Sequence, residues 1–357
     1  MRDGKEGNVI GELKLIAWRI LAGGYYYSGM PRARHRGRVA ILTYHRVVSE
    51  SLVREEHIQP GMYVLDRSFE DHMAYLKKQF TILPIERLVE MRQTGRLEPE
   101  RAYCVVTFDD GWRDNYQYAF PLLKKYGIPA TVFLATDYIG TSNWFWPDRL
   151  AWLIGQARGN RTEDAVQEAI NTVLREIPDI GVEAMNRWLA RCNAKNRLDA
   201  DTLIEWCKDL DPKLIARFVE RLGRALGVDP SQKRVLLNWD EVREMASHGV
   251  TFGSHSCTHR IMTKVAVSEA ERELTGSWQA MLQQGIKPVP VFCYPNGNCN
   301  QELKDSARKS GYLAAVGCTT GLLGDGSDDP FDLKRVGFHQ DISSSVTHFA
   351  LALSGLR

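Results

Sequence analysis

Short apolar runs rich in β-branched residues alternate with helical patterns through most of this chain of 357 residues. The runs predict strands over 39–44, 80–83, 103–108, 130–134, 250–252, 289–294 and 312–316. Apolar residues at spacings of three and four predict helices over 68–78, 121–126, 239–247 and 268–284. Ser68 is predicted to cap the first of these helices. Strands that alternate with helices indicate an α/β fold, built from βα units around a parallel sheet or barrel.

The alternation stops between about Leu150 and Val235, where one helical pattern follows another. Apolar residues lie on one face of each pattern and charged residues on the other, as in helices packed on a shared core. We therefore predict an α/β body over residues 38–350 that is interrupted by a helical insertion over 150–235.

The N-terminal segment, residues 1–37, is predicted to be an amphipathic helix followed by a basic stretch. Charged residues interrupt its apolar run, so we predict neither a membrane-spanning helix nor a signal peptide. The helix could lie on a membrane surface. It could instead pack on the domain beside a solvated basic loop, and we favour this second interpretation. The expected location is cytoplasmic, or peripheral on the inner face of the membrane.

Composition excludes few function classes. Hydrophobic residues make up 44% of the chain and charged residues 25%, which is typical of a globular protein. A formal net charge of +2 gives no reason to expect a nucleic-acid partner. The seven cysteines form no CxxC pair, so we predict no disulfide framework and no cysteine-built zinc site. A reducing compartment is the simpler expectation.

Two adjacent aspartates, Asp109 and Asp110, follow the predicted strand over 103–108 and precede Gly111. Carboxylates held side by side out of water repel each other and lose hydration. Either they cap a following helix or a cation lies beside them. Taken alone, such a DDG sequence is most often a turn or a helix cap.

His255 and His259 form a second motif, four residues apart and directly after another predicted strand. This spacing can bring two imidazoles to one metal ion, and one carboxylate of the aspartate pair would leave a coordination position for water. Zinc suits these ligands best, although cobalt, nickel or iron could occupy the site. The zinc-protease signature has a glutamate after its first histidine, where this chain has Ser256. The base must therefore come from elsewhere, so one aspartate would bind metal while its neighbour takes a proton from water.

The motifs VTFDDG and SHSCTH resemble those of the polysaccharide deacetylases, carbohydrate esterase family 4. LTYHRV at 42–47, GIPATVFL at 127–134 and FCYPNG at 292–297 match further family motifs in order. The motif order is most similar to that of the circularly shifted, poly-N-acetylglucosamine deacetylase-like subgroup. The resemblance implies an irregular (β/α)7 barrel and a divalent metal. It also implies hydrolysis of N-acetyl groups, or in some members O-acetyl groups, on an acetylated amino-sugar polymer or glycan.

The resemblance also implies roles for single residues. Asp109 would be the general base, and Asp110, His255 and His259 the metal ligands. His45 would be the general acid in preference to His339.

The FCYPNG motif carries two further expectations. The backbone of Tyr294 would help to hold the oxyanion, and Pro295 would contact substrate in the same motif. Phe292 is expected to stand where the family often has an arginine. Arg335 is then a candidate to orient Asp109.

Trp112, Trp144 and Trp146 could stack on sugar rings or belong to the core. We assign Trp112 and Trp146, with Pro295, as expected substrate contacts. The predicted function is a metal-dependent deacetylase acting on a polysaccharide, an oligosaccharide or a lipid-linked sugar. Two alternatives stay open, a non-catalytic carbohydrate-binding protein on the same scaffold and a small-molecule amidase or esterase of the same fold.

Overall fold

The structure, a computed structural model, describes residues 18–195, 200–228, 233–324 and 327–355. Its strands are β1 (Val39–Tyr44), β2 (Arg46–Val48), β3 (Tyr63–Leu65), β4 (Thr81–Ile82), β5 (Tyr103–Phe108), β6 (Ala130–Leu134), β7 (Val250–Ser254), β8 (Val291–Cys293), β9 (Ala314–Thr320) and β10 (Leu333–Gly337).

Helices alternate with these strands or follow one another along the chain. They are α1 (18–27), α2 (Met30–His35), α3 (Glu50–Glu56), α4 (Asp66–Gln79), α5 (Ile85–Gln93), α6 (Phe120–Tyr126), α7 (Trp146–Asn160), α8 (Glu163–Arg175), α9 (Gly181–Lys195), α10 (Ala200–Cys207), α11 (Pro212–Leu226), α12 (Trp239–Ser247), α13 (Val267–Gln283), α14 (Gln301–Lys309), α15 (Gln340–Ser343) and α16 (Val346–Leu353).

Seven parallel strands close into a barrel. Going round it, β1 is followed by β10, β9, β8, β7, β6 and β5, and β5 pairs with β1 to complete the ring. The two-residue strand β4 adds to β5 outside the ring, and β2 pairs with β3 in a separate parallel ribbon. The predicted α/β fold with a (β/α)7 barrel is therefore confirmed.

Every residue of β1, β5 and β6 is buried. Parallel strands covered on both faces have no solvent side, which explains why these segments read as continuous apolar runs rather than alternating ones. Polar side chains begin where the strands end. The carboxyl ends of parallel strands meet at one rim of a barrel, so those polar residues are brought together.

Several element boundaries differ from the predictions. The strands β1, β5 and β6 begin and end as expected, whereas β4 and β8 are shorter and β7 and β9 longer. The strands β2, β3 and β10 were not predicted, because two have only three residues and β10 contains Lys334 and Arg335. The predicted cap is wrong: α4 begins at Asp66 after Leu65, and Ser68 is buried inside the helix.

The chain forms two compact units. One comprises the described residues within 1–49, 60–141 and 236–357 and contains the barrel, and the other comprises those within 50–59 and 142–235. The second unit contains α3 and α7–α11. Its core is built on buried aliphatic side chains and on two tryptophans, Trp188 and Trp206, whose ring centroids lie 5.7 Å apart.

Of the predicted N-terminal helix, residues 18–27 are helical, and residues 1–17 lie outside the described residues. The described part of the chain contains no helix with the length and apolar character needed to cross a membrane.

Candidate active site

Polar residues from several strand ends meet at the carboxyl rim of the barrel. His45 follows β1, Asp109 and Asp110 follow β5, and His255 follows β7. The N–H of Asp109 donates to the Tyr44 carbonyl at 3.0 Å, which extends the β1–β5 pairing and places His45 beside the aspartates.

The turn after β5 orients Asp110. Its φ is 77°, a left-handed conformation that non-glycine residues rarely adopt and that costs roughly 1–3 kcal/mol. Gly111 follows with a φ of 84°, and a Cβ there would lie 2.8 Å from Cδ2 of Leu134. Trp112 Nε1 donates to Asp110 Oδ2 at 2.8 Å. The turn and this hydrogen bond together hold Oδ2 and leave Oδ1 for another partner.

The two histidines supply that partner. The Nε2 atom of His255 lies 3.3 Å from Asp110 Oδ1, and Nε2 of His259 lies 3.2 Å from the same oxygen. Their ring centroids are 4.9 Å apart. His255 is buried, whereas the His259 side chain is 24% exposed, so the cluster opens toward solvent on the His259 side.

These three residues fit a divalent metal ion. Tetrahedral zinc with bonds of 2.0–2.2 Å would place neighbouring ligand atoms about 3.3–3.6 Å apart, close to the two separations observed. The His255 Nδ1 lies 2.8 Å from the Cys293 carbonyl, so it is the protonated nitrogen and Nε2 is left to bind metal. Burial raises the pKa of Asp110, but its contacts with His255 and His259 outweigh burial and hold that pKa well below the usual range.

The loop between the histidines has unusual backbone geometry. Ser256 has a φ of 64° and His259 a φ of 56°. The His259 N–H donates to Ser256 Oγ at 2.9 Å, which closes the turn. This turn, rather than a helix, brings the two imidazoles to one carboxylate oxygen.

Asp109 has different partners. Arg335 donates from Nη1 to Asp109 Oδ1 at 2.7 Å and from Nη2 to Oδ2 at 2.8 Å, and both residues are buried. The same guanidinium donates from Nε to the Gly317 carbonyl and from Nη1 to Thr43 Oγ1. Burial raises the pKa of Asp109, but Arg335 outweighs it and lowers the pKa to about 2. Asp109 is therefore ionised at neutral pH, as a general base must be.

The structure corrects the expectation for Phe292. Phe292 packs into an apolar cluster with Tyr294 and Tyr312, away from Asp109. Cys293 is the residue of this motif beside the base, with its Sγ atom 3.5 Å from Asp109 Oδ1. Successive residues of a strand point to opposite faces, so the one-residue difference decides which side chain reaches the site.

The structure also corrects the expectation for Tyr294. Its N–H donates to the Val316 carbonyl at 3.1 Å, within the β8–β9 pairing, so that amide is not available to an oxyanion. Its hydroxyl donates to the Phe331 carbonyl, and its ring is buried. Pro295 is buried as well, and the exposed residue of the turn is Asn296, whose φ is 56°.

The tryptophans predicted to contact substrate have other surroundings. Trp112 is fully buried, and the Arg46 guanidinium lies 4.4 Å from its ring centroid, so the indole offers no face to a sugar. Trp146 begins α7 in the helical unit and packs against the core of that unit. Trp144 is buried in the same unit and donates to the Lys233 carbonyl.

Both histidines considered as the general acid lie at the same rim. His45 is half-buried. Burial and the closer partners of each carboxyl have the larger effects on the pKa values of Asp109 and Asp110, and the charge interaction with His45 lowers both pKa values further. His339 follows β10, with its Nδ1 3.6 Å from Asp341 Oδ2. The electrostatic contact with both aspartates favours His45.

A buried network that sequence reasoning missed surrounds His45. Arg46 donates from Nε to Asp114 Oδ2 at 2.6 Å, and the Val47 N–H donates to Asp114 Oδ1. Asn115 Nδ2 donates to the His45 carbonyl at 2.9 Å. The sequence DNY at 114–116, shortly after the paired aspartates, was the available signal. Its position in the sequence alone did not indicate these hydrogen-bond partners.

Comparison with known families assigns the chain. The Polysaccharide deacetylase family model matches residues 96–186 and 215–315, just over half of the chain. The chain belongs to the polysaccharide deacetylase family. The matched ranges include both the paired aspartates and the two histidines.

Relatives of this polysaccharide deacetylase include YxkH of Bacillus subtilis (strain 168), whose name assigns it to the polysaccharide deacetylases. The two are 36% identical over 281 residues, which is 78% of this chain and 64% of YxkH. A poly-beta-1,6-N-acetyl-D-glucosamine N-deacetylase of Staphylococcus epidermidis is 34% identical over 110 residues, 29% of this chain and 37% of that protein. The chain thus matches less than two thirds of the length of either relative.

Solved structures share the fold. The Streptococcus pyogenes deacetylase PplD, determined with acetate, aligns with a TM-score of 0.55 at 17% identity over 86% of this chain and 94% of PplD. IcaB from Ammonifex degensii aligns with a TM-score of 0.54 at 16% identity over 88% of this chain and 97% of IcaB. At these identities the likeness concerns the fold alone.

Proposed function

We propose that this deacetylase is a metal-dependent hydrolase that removes N-acetyl groups from amino sugars of a glycan. The observation that carries the proposal is the different environment of two adjacent carboxylates. Asp110 lies within 3.3 Å of two imidazole nitrogens, and Asp109 lies in a bidentate pair with Arg335. One carboxylate is thus arranged to bind a cation and the other to accept a proton.

Asp110, His255 and His259 would hold the ion, and Zn²⁺ suits this donor set, with Co²⁺, Ni²⁺ and Fe²⁺ as alternatives. When bound, the ion polarises the acetyl carbonyl and makes a nearby water more acidic. Asp109 accepts the proton of the attacking water. Arg335 fixes both oxygens of Asp109 and keeps the carboxyl ionised, so the base is charged before substrate arrives.

Cleavage of the amide also needs a proton for the departing amine. His45 is proposed to supply it, because it lies at the end of β1 beside Asp109 and its backbone is held by Asn115. The oxyanion needs a hydrogen-bond donor as well. Because the Tyr294 amide is used within the sheet, we assign this role to the backbone of Asn296 in the exposed turn after β8.

The proposed substrate class is an acetylated amino-sugar polymer or oligosaccharide. Two observations support it. The cluster is open to solvent at His259, as a site that admits a chain must be. The Staphylococcus epidermidis relative is named for deacetylation of poly-beta-1,6-N-acetyl-D-glucosamine.

Acetate release by purified protein tests this function. The substrates would be β-1,6- and β-1,4-linked N-acetylglucosamine oligomers, free N-acetylglucosamine and a lipid-linked N-acetylamino sugar. We expect faster release from oligomers than from the free sugar. Turnover of the free sugar alone would indicate a small-molecule amidase. Binding of oligomers without release, with equal affinity in Asp109→Asn, would indicate a carbohydrate-binding protein.

Contact of the N-terminal segment with a membrane surface, on the inner face, stays a prediction. In α1 the side chains of Ile20, Leu21 and Tyr27 are 71%, 55% and 82% exposed. Co-sedimentation with vesicles containing anionic lipid tests it, because an interfacial helix should bind and its binding should weaken as salt is raised.

A further inference from the structure

Glu273 is a buried glutamate in the middle of α13 whose carboxylate faces the loop between the two histidines. Its Oε2 accepts hydrogen bonds from the N–H groups of Cys257 and Thr258, both at 2.8 Å. Its Oε1 accepts a third from Thr258 Oγ1 at 2.7 Å. All three donors belong to residues 256–258, the segment between His255 and His259.

The carbonyl groups of this loop are bound by two residues of the segment that follows β6. The N–H of Thr136 donates to the Ser256 carbonyl at 3.2 Å, and that of Asp137 donates to the Cys257 carbonyl at 3.0 Å. The carbonyls of Ser256 and Cys257 therefore accept from the segment after β6, and the N–H groups of Cys257 and Thr258 donate to Glu273 on the other side of the loop. With both sides satisfied, the backbone can keep the left-handed turn at Ser256 and His259.

The two metal-ligating histidines depend on this loop to different extents. His255 directly follows β7, its N–H donates to the Leu134 carbonyl, and its Nδ1 is fixed by Cys293. His259 lies beyond the turn and is the more exposed of the two side chains. The turn brings His259 to Asp110, and hydrogen bonds to Glu273 hold the turn.

We propose that Glu273 is a positioning residue for the metal site, which holds the 256–258 loop so that His259 reaches the ion. The proposal rests on the metal-dependent function proposed above. It goes further because Glu273 contacts neither the ligand atoms nor the reacting groups and acts on metal affinity through the loop backbone.

A titration with Co²⁺ tests the proposal without substrate, because its visible absorption reports both affinity and coordination. We expect Glu273→Ala to weaken Co²⁺ binding by about 10- to 100-fold, the usual effect of losing a residue that orients a metal ligand. In Glu273→Gln the amide oxygen can still accept from the two N–H groups. Its Co²⁺ affinity should therefore fall less than that of Glu273→Ala, but still by at least about threefold, because the charge of the acceptor is lost. If the alanine variant does not fold, the glutamine variant decides.

Two variants of the same helix serve as controls. Leu274→Ala removes a buried apolar side chain next in sequence and lowers stability, while the Glu273 carboxylate that accepts from the loop is kept. Glu271→Ala removes an exposed glutamate two residues away. Both should bind Co²⁺ as the wild type does. Acetate release by Glu273→Ala should also return toward the wild-type rate as Co²⁺ is raised to saturation, with KM for the glycan unchanged.

The outcomes separate the two proposals. Wild-type Co²⁺ affinity and spectrum in both Glu273 variants would overturn the positioning role and leave the proposed function standing. An equal loss in Leu274→Ala would also overturn it, because the effect would then follow stability alone. Absence of Co²⁺ binding by the wild type would overturn the metal-dependent function together with this role.

Discussion

The two aspartates of the DDG turn are adjacent in sequence and equally buried, yet their surroundings differ. We call Asp109 with Arg335 the base side, and Asp110 with His255 and His259 the metal side. On the base side a guanidinium donates to both carboxylate oxygens. On the metal side two imidazole nitrogens approach one oxygen, and Trp112 holds the other.

The difference gives two adjacent carboxylates of one turn different chemical environments. The left-handed φ of 77° at Asp110 redirects the chain after Asp109, so Asp109 faces Arg335 of β10 and Asp110 faces the histidines that follow β7. The arginine donors are always protonated and satisfy Asp109 by themselves. Under the proposed function the imidazole nitrogens are neutral acceptors, and a cation would lie between them and Asp110 Oδ1. Under this proposal the base side is complete in the protein, whereas the metal side would take up an ion.

Removing a metal ligand should have the largest effect. In His255→Ala we expect acetate release to fall by at least about 10³-fold, because the ion contributes several kcal/mol to the reaction. Co²⁺ affinity should fall in parallel. Titration of wild type and variant with Co²⁺, followed by acetate assays on the same samples, checks both. Unchanged activity would contradict the assignment of His255 as a metal ligand.

Replacing the proposed base should lower activity without lowering metal affinity. Asp109→Asn is expected to lower kcat by about 10²- to 10⁴-fold, the usual contribution of a general base, while Co²⁺ affinity stays near the wild-type value. The paired measurement is kcat against Kd for Co²⁺. A large loss of metal affinity in this variant would mean that Asp109 is also a ligand, and the comparison between the sides would fail.

Removing Arg335 should change the pH dependence. Arg335 outweighs burial and holds the pKa of Asp109 at about 2, so Asp109 does not limit the wild type at mildly acidic pH. In Arg335→Met burial remains without its counter-charge, so the pKa should rise above the ordinary 3.8. The base then becomes protonated at higher pH, and the acid limb of kcat/KM should move up by about one unit or more.

The same substitution leaves a buried carboxylate unpaired, which costs about 3–5 kcal/mol of stability. Arg335→Lys keeps the charge but loses the bidentate geometry, so it serves as the control for charge. Its acid limb should lie between those of the wild type and Arg335→Met. Identical profiles in all three proteins would show that Arg335 does not set the protonation of the base.

The smallest effect is expected for Trp112→Phe. This substitution keeps a buried aromatic ring, removes the N–H that donates to Asp110 Oδ2 and leaves a small cavity, because phenyl is smaller than indole. Co²⁺ affinity should fall by about tenfold, at the lower end of the range for residues that orient a ligand, and the acid limb should not move. Isothermal titration with Co²⁺ and a pH profile check both points. A shift of the acid limb would show that the two sides are coupled.

Much of this arrangement could be predicted from sequence. The strand-end positions of His45, Asp109 and His255 follow from runs of apolar residues that stop where the polar motifs begin. The family resemblance then gave the two aspartates different expected roles. Arg335 was named only as a candidate, because it lies inside β10, where charged residues hide the strand pattern.

The supporting residues could not be read from patterns. An aromatic after DDG indicates a sugar platform as readily as a buried indole, and only the tertiary structure shows that Trp112 donates to Asp110. Glu273 lies fourteen positions after His259 in an amphipathic helix, where one glutamate looks like another. The Phe292 expectation was wrong by one position, which in a strand exchanges the two faces.

Acetate release from an N-acetylglucosamine oligomer, by protein first stripped of metal and then reloaded with Zn²⁺ or Co²⁺, tests the central claim most directly. We predict no release from stripped protein, recovery on reloading, and no recovery in reloaded Asp109→Asn. Full release by stripped protein, or by Asp109→Asn, would contradict the division of the site into a metal side and a base side.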